Sequence, residues 1–174
     1  TIDTLRGDAL SASGGPAATP NIDALAARGA RFTFAHAHAV VTLVSHTTIL
    51  TGQLPYEHGM RDNSGYRVKD GTATLATRLK AMGFATSAFV GGFPLTKRFD
   101  HGESLGEHGE ATHGMFAYEA TLHVPLIVAR VVPNQSRSTR GVVIDAPVRH
   151  MDIAPTVLDA IGAQTDAAMT GSSL

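Results

Sequence analysis

Helix-period apolar segments alternate along this chain with short β-branched runs, most of them closed by glycine or proline, and this alternation constrains the fold more than any other feature. It points to an α/β architecture with helices packed on a sheet. Thr19-Pro20, followed by Ile22, Leu25 and Ala26 and closed by Gly29, reads as a capped helix with proline in its first turn. Leu75, Leu79 and Met82 before Gly83 predict a second helix, and Asp152 is placed to cap a third that carries Val157, Leu158 and Ile161 before Gly162. Phe32-Thr33-Phe34 alternates like a strand, and Phe84 to Val90 is strand-like. Val124 to Val128 and Gly141 to Ile144 read as buried strands. Asn134 to Arg140 reads as a polar loop and Ala163 to Leu174 as a surface tail, and no internal repeat is visible.

Composition removes several function classes. With 174 residues, 43% hydrophobic and 17% charged, the chain can bury one ordinary core. A net charge of -1 without a basic block gives no reason to expect nucleic acid as a partner. The longest apolar stretch, Val124 to Val132, is broken by Pro125 and Arg130, so no membrane segment is expected. The absence of cysteine excludes disulfides, thiolate metal sites and a cysteine nucleophile. No signal peptide is recognisable; a start at Thr1 rather than Met is compatible with an export signal removed beforehand, so the compartment stays open.

Chemistry-bearing residues stand at the edges of the apolar runs. Asp100-His101-Gly102-Glu103 is a metal-ligand-like cluster, Asp3 is an isolated acid near the start, and Thr42-Leu43-Val44-Ser45-His46 is a polar segment between them. Two acids, an imidazole and a hydroxyl are what a metal-assisted ester hydrolase needs: the hydroxyl attacks, and the cation lowers its pKa and neutralises the developing oxyanion. Each residue has a plainer reading. Asp3 could cap a helix, Asp100-His101 could sit in a turn, and Thr42 could close a strand. Neither acid has an apolar strand directly before it, where ligands of a sheet-based site normally sit.

Several motifs in order resemble the sulfatase family of the alkaline phosphatase superfamily. Asp3-Thr4-Leu5-Arg6-Gly7-Asp8, Thr19-Pro20-Asn21-Ile22-Asp23, Thr51-Gly52 and His58-Gly59 are similar to its N-terminal block. Asp100-His101-Gly102-Glu103, Gly106-Glu107-His108-Gly109, Val124-Pro125-Leu126, Asp152-Ile153-Ala154-Pro155-Thr156 and Gly171-Ser172-Ser173-Leu174 are similar to its C-terminal block. The resemblance implies one catalytic domain, 1–99 carrying the nucleophile and 100–174 the metal ligands. Its mixed sheet is flanked by helices, and the family's first strand and central region are lacking. Members of the family are often periplasmic or exported.

The resemblance also implies roles. Asp3 matches the first metal-binding acid, while Thr4 replaces the second; Asp100 and His101 match the downstream metal pair, where many members have Asp-Asn. Thr42 falls at the nucleophile position, and His113 lies near a lysine or histidine that contacts the ester. Sulfatases convert a cysteine or serine to formylglycine, which threonine cannot become, and Val44 and His46 replace the proline and arginine of that maturation signal. A threonine alkoxide can still attack phosphorus, so phosphate mono- or diester chemistry is favoured over sulfate-ester hydrolysis, on a small-molecule or glycan ester. Two carboxylates and an imidazole suit Zn²⁺ or Mn²⁺ better than an all-oxygen Ca²⁺ or Mg²⁺ site.

Two other readings compete. Gly102-Glu103-Ser104-Leu105-Gly106 fits a nucleophile elbow, with Asp145 and His150 following in order, yet Arg98-Phe99-Asp100-His101 is not the strand an elbow requires. A catalytically incomplete fragment or binding remnant of a sulfatase-family protein is the other. His36, His38 and His58 read as partner-bonded or exposed structural histidines, Glu107 and His108 as loop-stabilising residues, and Arg61-Asp62-Asn63 either approaches substrate or forms a solvated turn.

Overall fold

A computed structural model describes residues 1–2, 4–63, 65–87, 117, 119–130, 140–165 and 167–174. The first helix, α1 (Pro20–Ala26), starts on proline as its sequence requires. Its expected cap works differently, because the Thr19 hydroxyl donates to Asp23 Oδ1 and pairs with Ser11 Oγ instead of accepting a helix N–H. Asp23 also takes bonds from Ser11 Oγ and the Ala12 amide, which pins a 3₁₀ turn (Ser11–Ser13) onto the helix.

After α1 the chain enters β1 (Ala30–Phe32) and β2 (Ala35–His36), then α2 (Thr42–Thr51) and α3 (Pro55–His58). The second predicted helix is α4 (Leu75–Ala81), where Thr74 accepts from the Thr77 amide as a true N-cap and Gly83 follows in the left-handed region. Residues 84–87 form no regular element, and 88–90 lie outside the described residues. The second half contributes α5 (Glu119–Leu122), β3 (Leu126–Val128), β4 (Val142–Ile144), β5 (Val148–Arg149) and α6 (Ile153–Ala160).

Two small sheets interleave the halves. β1 is central in one, antiparallel to β3 with Arg31 opposite Ile127 and parallel to β4 with Phe32 opposite Ile144. In the other, β2 runs parallel to β5 with Ala35 opposite Val148, and a bridge joins His36 to His123. Phe32, Ala35, Ala37, Val124 and Val148 form the buried core between them. The alternation expected to put Phe32 and Phe34 on one face fails, because β1 ends at Phe32 and the chain bends into β2. Phe34 is therefore 48% exposed and meets the His36 ring in a tilted contact, with ring centres 4.5 Å apart. β4 is not the buried strand expected either: it borders its sheet, and Val142 and Val143 are exposed.

A second core joins Ala154 and Leu158 of α6 to Leu75 and Leu79 of α4 and to Met169. Residues 163–165 and 167–174 lie largely on the surface, as expected, but they are anchored to the fold and not a loose tail. Met169 is buried, the amides of Thr170 and Gly171 donate to the Gly52 carbonyl, and the Leu174 amide donates to Thr156 Oγ1. Gly52 ends α2 at φ 68, a conformation that glycine alone adopts without penalty. Asp152 does not cap α6. Its carboxylate turns back, accepting from the Arg149 amide at 2.9 Å, from Arg149 Nε and Nη2 at 3.2 and 3.1 Å, and from the Ser172 amide at 2.9 Å.

A Cβ on Gly171 would overlap the Met151 carbonyl, since residues 167–174 form a closing strap whose backbone at Gly171 lies against that of Met151. Gly171→Ala is expected to lower unfolding stability by about 2 kcal/mol or more, measured by urea denaturation. Gly162→Ala, at a helix end with open space around it, is expected to cost about 1 kcal/mol.

Candidate active site

The candidate nucleophile, Thr42, is the first residue of α2 and is 2% exposed. Val41 before it is extended, so the helix begins sharply and its first amides have no carbonyl partner within the helix. One of those amides is already claimed: Asn63 Oδ1 accepts from Leu43 N–H at 2.9 Å. Only the carboxamide oxygen can accept, which fixes the flip of Asn63 and leaves its Nδ2 with two donors beside the start of α2. Arg61, by contrast, donates to the carbonyls of Pro55 and Met60, and Asp62 accepts from the Asn63 amide. The turn reading holds for Arg61 and Asp62, while Asn63 reaches the helix that carries Thr42. Local spacing gave no signal for that reach, because nothing in the sequence relates positions 42 and 63.

Helical periodicity places His46 one turn after Thr42 on the same face. His46 Nε2 lies 3.1 Å from Thr1 Oγ1, so α2 is tied to the start of the described chain, two positions before Asp3. The remaining hydroxyls of α2 are buried and satisfied. Thr47, Thr48 and Thr51 donate to the carbonyls of Leu43, Val44 and Thr47, and Ser45 Oγ pairs with His150 Nδ1 at 2.9 Å in a fully buried contact. His150 belongs to the 3₁₀ turn (His150–Asp152) that leads into α6.

Asp3, Asp100, His101 and His113 lie outside the described residues, as do Ser104, Glu107 and His108. Among the described residues no three His, Asp or Glu side chains converge on a common metal position. No described helix is long and apolar enough to cross a membrane. The described members of the rival triad have other partners: His150 bonds Ser45, and Asp145 accepts from the Thr33 hydroxyl.

The histidines near α2 behave as structural groups. His58 is buried; its Nδ1 accepts from the Met60 amide at 3.2 Å, so Nε2 carries the hydrogen and faces Thr48 Oγ1 at 3.0 Å. Burial, aided by the Arg61 charge, pushes its pKa down to about 4. His38 is held below the ordinary imidazole range by burial and then by Arg149, and its Nδ1 makes no hydrogen bond among the described residues.

An α/β core whose central buried helix opens on a hydroxyl is the class of structure these elements define. A family model described as Sulfatase matches residues 1–96 and 100–163, and the chain belongs to the sulfatase family. No curated protein matches it significantly. Among solved structures, a 2-O GAG sulfatase aligns with 99% of this chain and 71% of its own at 13% identity and TM-score 0.74. The phosphonate monoester hydrolase of Silicibacter pomeroyi aligns with 99% and 74% at 14% identity and TM-score 0.72. At these identities the two share the sulfatase and alkaline phosphatase-like fold with this chain. The phosphonate monoester hydrolase of Agrobacterium radiobacter is 33% identical over 48% of this chain, a span that is 17% of that enzyme's length, with TM-score 0.46.

The neutral His58 has a measurable consequence. The unfolded imidazole binds a proton below pH 6.5 and the folded one only below about 4, so in that window the unfolded state holds more protons. Stability is thus full above pH 6.5 and falls as the pH drops toward 4, by up to about 3 kcal/mol from this group. Chemical denaturation across that range should show the decline, and His58→Gln should flatten it while lowering stability at neutral pH.

Proposed function

We propose that this protein is a metal-dependent ester hydrolase that works through a covalent Thr42 intermediate and prefers phosphate mono- or diesters to sulfate esters. The observation that carries the reading is the position of Thr42 at the first turn of α2, with Asn63 anchored on the neighbouring amide. A helix N-terminus favours negative charge, so the first-turn amides support an anionic ester beside the Thr42 hydroxyl, while most of the hydroxyl's activation has to come from the cation. Threonine has no route to formylglycine, which separates this chain from sulfatases that use the oxidised residue.

In this reading Asp3, Asp100 and His101 hold a divalent cation, and their mixed carboxylate–imidazole donor set fits Zn²⁺ or Mn²⁺. When bound, such a cation lowers the pKa of the hydroxyl and neutralises charge on the ester oxygens. Thr42 gives up its proton to solvent, and its Oγ attacks phosphorus while the bond from phosphorus to the leaving ester oxygen breaks. That oxygen takes a proton from His113. Water then passes a proton back to His113 as it attacks phosphorus and opens the phosphothreonine, restoring the hydroxyl and releasing phosphate from a monoester or a phosphate monoester from a diester. Asn63 donates from Nδ2 to an oxygen of the ester while its Oδ1 stays on Leu43 N–H. The substrate is a small-molecule or glycan ester, in keeping with relatives that act on sulfate and phosphonate esters.

Turnover of aryl sulfate, aryl phosphate and aryl phosphodiester should be compared for wild type, Thr42→Ala and Asn63→Ala, with metal content measured. Thr42→Ala is expected to abolish phosphate-ester turnover, by at least about a thousandfold, and Asn63→Ala to lower kcat about a hundredfold. Chelator should remove activity and lower the melting temperature. Sulfatase turnover that survives Thr42→Ala would refute the nucleophile, and no turnover with a chelator-insensitive melting temperature would instead support a non-catalytic remnant.

A further inference from the structure

Residues 1–2 and 4–7, which flank Asp3 in sequence, belong to no regular element, so single bonds and side chains must hold them. At one end the Thr1 hydroxyl lies 3.1 Å from His46 Nε2, on the second turn of α2. At the other the Gly7 amide donates to the His123 carbonyl at 3.0 Å. Gly7 is buried, and a Cβ there would come within 3.1 Å of the His123 ring, so close packing fixes this end as well. Between the two ties, the backbone amides and carbonyls of Thr1, Ile2, Thr4 and Leu5 bond no other element among the described residues. Apolar packing adds little there: Ile2 is 55% exposed and, with Leu5, borders a cavity of about 400 Å³.

Thr4 stands at φ 55, the one described non-glycine residue with a positive φ. A β-branched side chain crowds its own backbone in that region, so relaxing to negative φ would lower the local energy. Rotation about one backbone bond swings all of the chain on its free side. The turn therefore persists only while both flanks are tied down: Gly7 is packed in place, and Thr1 is held to α2. One neutral hydrogen bond and one strained residue are energies of the same order, so the bond suffices to hold the turn and its loss suffices to release it.

We propose that Thr1 and His46 are positioning residues, whose bond holds the strained Thr4 turn and so sets the stretch carrying Asp3 relative to Thr42. This rests on the proposed reaction, in which Asp3 is a metal ligand and Thr42 the nucleophile. His46 lies one turn after Thr42 on the same helical face, so the tie refers that stretch to the rigid element that bears the hydroxyl. A turn held in one arrangement before the cation arrives leaves less of the binding energy to be lost in ordering it.

Affinity for Mn²⁺ alone, and for Zn²⁺ alone, read by calorimetric titration of the full chain without substrate, tests this. Thr1→Val, which removes one exposed hydroxyl and keeps the shape, should weaken binding about fivefold. Thr1→Ser, which keeps the hydroxyl, should bind as the wild type does. In a Thr4→Gly background the same Thr1→Val change should weaken binding by less than about twofold, because glycine holds a positive φ unaided. Thr4→Gly itself should hold or raise the urea midpoint of unfolding. An equal loss in both backgrounds, no loss on Thr1→Val, a loss on Thr1→Ser, or a lower midpoint for Thr4→Gly would each overturn the positioning role and leave the reaction standing. A wild-type chain that binds neither ion would overturn the cation of the proposed reaction, and this role with it.

Discussion

A helix buried on nearly every side cannot carry hydroxyls unless each finds a partner, and that requirement organises this molecule. Thr42, Ser45, Thr47, Thr48 and Thr51 of α2 are all buried. An unsatisfied buried hydroxyl costs about 1–3 kcal/mol, so leaving several unpaired would consume much of a small domain's stability. Back-bonding to carbonyls four residues earlier satisfies three of them at almost no conformational cost. Ser45 instead takes its partner from outside the helix, and so does Thr48 Oγ1, which also faces His58. Those two contacts decide which elements must surround α2. A leucine-rich helix would pack as tightly but tolerate many rotations, whereas this one is correct in a single orientation, the one that sets Thr42 beside Asn63.

Asp152 plays the corresponding part for the C-terminal elements. A buried carboxylate is tolerable only with strong donors around it, and Arg149 supplies a guanidinium and an amide while Ser172 supplies another amide. One side chain thereby joins the end of β5, the turn before α6 and the closing strap. The strap in turn reaches Gly52 at the end of α2. Polar groups, more than apolar area, specify how the second core meets the first.

The elements that could be read from the sequence are those whose signals are local. α1 and α4 follow from proline, capping threonine and terminal glycine, and α6 from its apolar period. Strand burial was less legible, because alternation fixes which side chains share a face but not whether another layer covers it; Val142, Val143 and Phe34 are the result. Asp152 looks like a helix cap in sequence because cap and buried ion-pair partner use the same residue type. At the candidate site, the proposal of Thr42 as nucleophile was legible through motif order. Asn63 was not, since its contact with Leu43 depends on a turn whose direction no nearby residue announces.

The interleaving of the two halves bears on how the chain acquires its structure. The ties that close the core run from Thr33 to Ile144, from Ser45 to His150 and from Gln53 to Ala168, over 111, 105 and 115 positions. Phe32 and the hydroxyls of α2 therefore leave the ribosome well before their partners, an interval of about 5–20 s at ordinary synthesis rates. Over that time a β-prone segment and a helix that needs outside hydrogen bonds stand open to wrong partners, and long loop closure makes the correct pairing slow. Yield in cells should thus depend on chaperone capacity and growth temperature more steeply than the stability of the finished fold suggests.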